Sequence, residues 1–170
     1  MIEAIKKRRA IRQYLAEKIS DEKLNEIITA AMYAPSANAK YPWDLVVIKN
    51  EEIKERLSKL TPWSIHLKEA PVIIAVIGHE KESSDWLEDC SIVAEHIWLE
   101  ATNQGLGSCW VQIRGNDKAE KEVKELFHMP EDYRVLCLLP LGVPAKAEPE
   151  HTKDDFDRSK VKQESYWIRN

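Results

Sequence analysis

The chain has 170 residues, with 25 basic and 29 acidic side chains, a formal charge of -4 and 44% hydrophobic residues. That length suits one domain, residues 1–170, with a real core and no room for separate cofactor and substrate domains. The mild, interspersed charge advertises neither nucleic acid nor an anionic membrane as partner, and no stretch approaches the roughly 20 apolar residues of a membrane span.

Met1 to Arg12 is too charged for a signal peptide, so a cytoplasmic protein is expected. Cys90, Cys109 and Cys137 are odd in number and lack a C-x-x-C spacing; buried, reduced thiols are expected. The five histidines show no metal-ligand spacing, and no metal site is expected.

Met1 to Arg9 predicts a short helix with Ile2 and Ile5 inward, followed by a basic, irregular stretch. Ser20 caps a clearer helix whose Leu24, Ile27, Ile28 and Ala31 recur at helical spacing until Ala34-Pro35 stops it. A polar loop, Ser36 to Pro42, leads into a buried strand at Leu45 to Ile48, an amphipathic helix at Glu51 to Leu60, and a central strand at Pro71 to Ile77.

The next helix, Trp86 to Gln104, puts Trp86, Cys90, Val93, Ala94, Ile97, Trp98 and Ala101 on one face, while Ile92 and Leu99 project from the opposite side. Cover on two sides is expected. Gly105-Leu106-Gly107 ends it; a strand at Ser108 to Ile113, a helix at Lys118 to Phe127 and a strand at Val135 to Leu141 follow. From Pro144 to Asn170 the chain is polar with isolated large apolar residues at Phe156, Val161, Tyr166, Trp167 and Ile168, which describes either a loose tail or a packing arm.

Three local clusters carry the chemistry. Lys7-Arg8-Arg9-Ala10-Ile11-Arg12 offers permanently charged guanidinium forks suited to phosphate or carboxylate. Ala34 to Trp43 is a helix stop followed by small polar residues that leave the backbone accessible. Gly105 to Ile113 is a strand entry built of small residues, without the G-x-G-x-x-G of a dinucleotide fold. Taken singly, the first reads better as a solvated basic end and the second as an ordinary connecting loop, and the third permits close approach of backbone to a strand or a ligand. The six tryptophans are not interleaved with basic residues as in a nucleic-acid platform.

In this order and spacing the clusters resemble the nitroreductase family of FMN enzymes over nearly the whole chain. The family's Arg-Arg-Ser-Ile-Arg-x-aromatic is matched by Arg8 to Tyr14 with Ala10 in place of serine, and its Ala-Pro-Ser-Ala stands at Ala34 to Ala37. Asp89 to Ala101 followed by Gly105 to Trp110 is similar to its central helix and next strand, and Leu141-Gly142-Val143-Pro144 to its Gly-Tyr-Pro turn. The usual Asn-x-Gln-Pro-Trp becomes Ala39-Lys40-Tyr41-Pro42-Trp43, which lacks two polar contacts in register.

The resemblance implies an α+β, three-layer sandwich with a mixed central sheet flanked by helices, forming a homodimer through Trp86 to Gln104 and exchanged arms, residues 144–170. It implies that Arg8, Arg9, Ala10 and Arg12 line the FMN phosphate and the pyrimidine edge of the flavin, with Arg12 beside N1 and the C2 oxygen, where a cation stabilises added electrons. Pro35, Ser36, Ala37 and Asn38 then reach the flavin of the other subunit, and backbone groups of Gln112 and Ile113 approach N5. Lys153 and Arg158 are candidates for a basic residue contributed by the arm. The implied activity is transfer of hydride from NADH or NADPH through FMN to a nitroaromatic, quinone or enone; a flavin-storing protein and an FMN-less interaction subunit are the alternatives.

Overall fold

The structure, a computed structural model, describes residues 1–164. Helices run Glu3–Lys7 (α1), Asp21–Met32 (α2), Glu51–Leu57 (α3), Trp86–Asn103 (α4) and Asp117–Phe127 (α5). Strands run Trp43–Ile48 (β1), Val72–His79 (β2), Gly107–Ser108 (β3), Val111–Gln112 (β4) and Tyr133–Gly142 (β5). The apolar positions at Tyr166, Trp167 and Ile168 lie outside the described residues.

Every residue of β2 is buried, because alternate side chains enter different cores. Val72, Ile74 and Val76 join the core under α2 and α4, whereas Ile73, Ala75 and Ile77 join the core under α3 and α5. The result is the expected α+β sandwich of helix, sheet and helix. Among the described residues no helix is long and apolar enough to cross a membrane.

The sheet corrects one expectation. Its order is β1-β2-β5, with β3 and β4 both beyond β5, and all these pairings are antiparallel. Parallel pairing among the described residues is confined to an isolated bridge between Ala10 and Ser108, so the sheet is not mixed in its named strands. Alternating strand and helix suggests parallel neighbours, but a helical turn at Ile65–Glu69 intervenes between α3 and β2, and β1 and β2 pair antiparallel.

The strand expected over Ser108 to Ile113 is interrupted at Cys109-Trp110. Register is continuous across the gap, with Ser108 opposite Leu141 and Val111 opposite Leu138. The gap therefore faces Leu139 and Pro140, and proline has no N–H to give a neighbouring strand. A bulge at Leu136 also shifts the pairing between β2 and β5; Ile113 and Arg114 both donate their N–H to its carbonyl, at 3.2 and 3.1 Å.

Helix ends follow the chemistry read from the sequence. Ser20 Oγ accepts from Lys23 N–H at 3.3 Å. At the end of α4, Gly105 takes φ +76°, Leu106 N–H donates to Ala101 O at 2.8 Å and Gly105 N–H to Thr102 O at 3.1 Å, a Schellman closure that no residue with a Cβ makes without cost. The first helix differs from expectation: α1 buries Ala4, and Ile2 and Ile5 are 67% and 46% exposed. All three cysteines are free and buried, as expected; burial holds Cys90 up at about 12 and pushes Cys137 well above the usual thiol range.

Candidate functional site

The basic stretch after α1 lies along the sheet edge, held by two residues three apart. Ile11 N–H donates to Ser108 O at 2.8 Å, and a Cβ on Gly107 would come within 2.5 Å of the Ile11 side chain. Tyr14 is buried, its hydroxyl donates to Ile11 O at 2.6 Å, and a Cβ on Gly142 would meet its ring at 2.8 Å. The two glycines thus serve the stretch that carries the arginines. Leu15 N–H to Val143 O and Ala145 N–H to Gln13 O fasten the start of the tail alongside it.

This anchoring sends the three arginines apart. The Arg8 guanidinium lies 4.5 Å over the Trp98 ring on α4, a cation–π contact. Arg9 is engaged by the chain's own tail: Nε donates to Pro149 O at 2.6 Å, and a second nitrogen meets the His151 ring at 2.6 Å. Ala10 forms the bridge to Ser108. Arg12 has no ion-pair partner among the described residues and faces a cavity of about 350 Å3.

Trp63, His66, Cys109, Trp110 and Gln112 share the walls of that cavity with Arg12. His66 is buried with Nε2 unpartnered; burial, then the Arg12 charge, lowers its pKa below the ordinary imidazole value. Ser108 Oγ, next to the Ala10 bridge, is likewise buried without a partner. Burial raises the Cys109 thiol, and Arg12 opposes that shift in part. Trp63 is 81% exposed, an unusual place for so large an apolar ring.

The Gln112 side chain is spoken for: Trp110 Nε1 donates to its oxygen at 2.6 Å and its amide donates to Arg114 O at 2.8 Å. Its backbone is the part left to the cavity. Ile113 is fully buried, its N–H donates to Leu136 O and its carbonyl accepts from Asn116 N–H at 3.0 Å. Arg158 in the tail sits 6.0 Å from the Phe156 ring, and Lys153 begins an exposed helical turn; neither joins Arg8 or Arg12.

Pro35 to Asn38 is elsewhere, at the other end of α4. Ser36 Oγ donates to Asp89 Oδ2 at 2.8 Å, and Ala37 N–H donates to Asp89 Oδ1 at 3.1 Å. Asp89 and Trp98 are nine residues apart on one helix, about 14 Å of rise. Within one chain, then, Arg8 lies at the Trp98 end of α4 and the Pro35, Ser36, Ala37 and Asn38 loop at its Asp89 end, while Arg12 and Gln112 meet at the cavity. Sequence reasoning overlooked Asp89, His66 and Trp63. Asp89 carried a signal: it is an acid amid the buried face of α4, between Trp86 and Val93.

Known proteins match this chain throughout. The family described as "Putative TM nitroreductase" matches residues 1–169. A "Putative NADH dehydrogenase/NAD(P)H nitroreductase" of Methanothermobacter thermautotrophicus is 35% identical over 98% of this chain and 87% of its own length. The solved structure of an FMN-dependent nitroreductase from Clostridium difficile R20291 superposes with a TM-score of 0.94 at 34% identity, covering 98% of this chain and 100% of that one. NADPH:FMN oxidoreductase from Vibrio harveyi, solved with NAD+, has a TM-score of 0.83 at 25% identity, over 99% of this chain and 79% of the other. A match of this extent, in sequence and in fold, means that the chain belongs to the nitroreductase family.

Proposed function

We propose that the chain is an FMN-dependent NAD(P)H oxidoreductase acting as a homodimer, with nitroaromatic, quinone or enone compounds as electron acceptors. The observation that carries this reading is Arg12, a cation without an ion-pair partner among the described residues, facing a cavity of about 350 Å3 lined by Trp63, Trp110 and Gln112. A flavin's pyrimidine edge supplies the acceptors and donors such a wall lacks, so the residues present fit the group. The names of the relatives support the same cofactor and the same donors.

When bound, FMN would supply hydride-transfer chemistry between NADH or NADPH and an acceptor. The chain's part is to bind, orient and polarise. Arg12 would place positive charge beside the edge where electrons accumulate, while His66, its pKa lowered by burial and then by Arg12, would back the cavity wall without a second charge. Arg8, Arg9 and the Ala10 backbone serve the phosphate, and Arg9 first gives up its contacts with Pro149 and His151. The Gln112 backbone would be the part offered to the flavin N5; Ile113, whose own backbone groups are engaged, would support it by packing. Trp63 and Trp110 give the cavity flat apolar walls suited to flat acceptors. Pro35 to Asn38 complete the site from the other subunit.

An absorbance spectrum from about 300 to 550 nm tests this, taken on the purified protein after adding FMN and desalting, and again after NADH or NADPH without oxygen. Retained flavin that bleaches is the expected result. Retained flavin that does not bleach means a storage protein, and no retained flavin removes the cofactor assignment.

A further inference from the structure

The loop between α2 and β1 holds a conformation that its own residues do not favour. Asn38, Ala39 and Tyr41 have φ of 54°, 54° and 52°, the left-handed region in which a Cβ crowds the following carbonyl. A run of this kind among residues that are not glycine persists only where the surroundings over-determine it, and such runs collect at functional sites.

One side chain supplies that constraint. Asp89 is 3% exposed on the first turn of α4 and accepts from Ser36 Oγ with one oxygen and from Ala37 N–H with the other. Ser36 Oγ in turn accepts from Tyr41 N–H at 2.9 Å. The carboxylate therefore holds the start of the loop directly and its end through one hydroxyl, so the strained residues lie inside a closed clamp. Asp89 has no cation within ion-pair distance among the described residues; the loop's donors are what compensate its buried charge, which ties loop and helix to each other.

We infer that Asp89 is a positioning residue for the flavin-facing loop: it acts through Ser36 and Ala37 to hold residues 36–41 in a course that keeps Asn38, Ala39 and Tyr41 left-handed, and it touches neither cofactor nor substrate. The Ser36 hydroxyl is part of this clamp and not a ligand, and the loop offers its backbone and Asn38 to the flavin. The inference rests on the FMN reading above for the purpose of the loop, though not for the clamp itself.

The test compares wild type, Asp89→Asn, Asp89→Ala and Asp89→Ala/Ala39→Gly, each checked for folding by circular dichroism. Two quantities are read: amide hydrogen exchange over residues 36–41 in flavin-free protein, and the Kd for FMN. Asp89→Ala loses protection at Ala37 and Tyr41 and binds FMN about tenfold or more weakly, as expected when a buried charged acceptor leaves two donors unpaired. Asp89→Asn, which keeps one acceptor oxygen, falls between and serves in place of Asp89→Ala if that variant does not fold. Adding Ala39→Gly recovers part of the affinity, because glycine occupies a φ near +54° without a Cβ penalty at one of the three strained positions. Unchanged exchange in the Asp89 variants overturns the clamp, and an affinity loss that glycine does not recover overturns its role in positioning. Wild-type protein that fails to hold FMN removes the functional reading, while the exchange arm still decides the clamp.

Discussion

Arg9 and Arg12 are three residues apart and identical in chemistry, yet their surroundings give them different work. Arg9 spends its donors on Pro149 and His151, whereas Arg12 meets the open cavity without an ion-pair partner among the described residues. Arg12→Ala is therefore expected to weaken FMN binding by roughly 1.5 to 3 kcal/mol, the worth of a charge-assisted hydrogen bond. Fluorescence titration of FMN measures it, and equal binding in the variant would remove Arg12 from the site. Gly107 prepares the same geometry from behind. A Cβ there lies 2.5 Å from Ile11 Cγ1 and 2.6 Å from Ile11 Cβ, too close to the Ile11 root for a rotamer change to relieve. Gly107→Ala should cost about 1 to 3 kcal/mol of stability by overpacking, read from urea unfolding, and Ile11→Gly in that background, which removes the clashing Cβ, should return part of the loss.

At the scale of elements, α5 is joined to the start of β5 by one carboxylate. Glu120 accepts Arg134 Nε and Nη2, both at 2.9 Å, and the Val135 N–H at 2.9 Å. Burial alone would raise its pKa, but Arg134 and the Val135 N–H together outweigh burial and hold it below the ordinary value of 4.5. A depressed folded-state pKa contributes stability that is fully present above 4.5 and is lost as pH falls through the lower folded value. Acid unfolding followed by circular dichroism should show this loss below pH 4.5, and Glu120→Gln should flatten that limb while lowering stability at pH 7. A limb of the same steepness in the variant would place the acid sensitivity elsewhere. The fold's elements were legible where the cause is local: Ser20 caps α2, Gly105 closes α4, and the unbroken apolar run from Val72 to Ile77 marks the central strand. They were illegible where the cause is distant. The break at Cys109-Trp110 depends on Pro140, some 30 residues away and visible as its partner only once the register is known. The site behaved alike: the arginines announce themselves by charge, but the occupation of Arg9 by the tail and of Ser36 by Asp89 depends on residues 140 and 53 positions distant.

For the whole molecule, the layout of α4 bears on how the site is completed. Arg8 packs near its Trp98 end and the Ser36 loop on Asp89, with Ile92 between them, partly exposed on a helix whose other face is core. A two-fold axis near Ile92 would set two copies of α4 antiparallel and bring the Arg8 end of one beside the Ser36 end of the other. Two composite sites result from a single self-complementary patch. Exposed Ile2, Ile5, Met32 and Tyr33 give further apolar surface that a monomer has no use for. In the proposed dimer, light scattering of the wild type should report twice the chain mass of 19.7 kDa. Ile92→Lys puts like charges face to face at the axis and should give folded monomers that release FMN on desalting. Loss of flavin together with halved mass ties the cofactor to the interface. Halved mass with flavin retained would mean that one chain holds FMN by itself, and the two ends of α4 would then need no partner to bring them together.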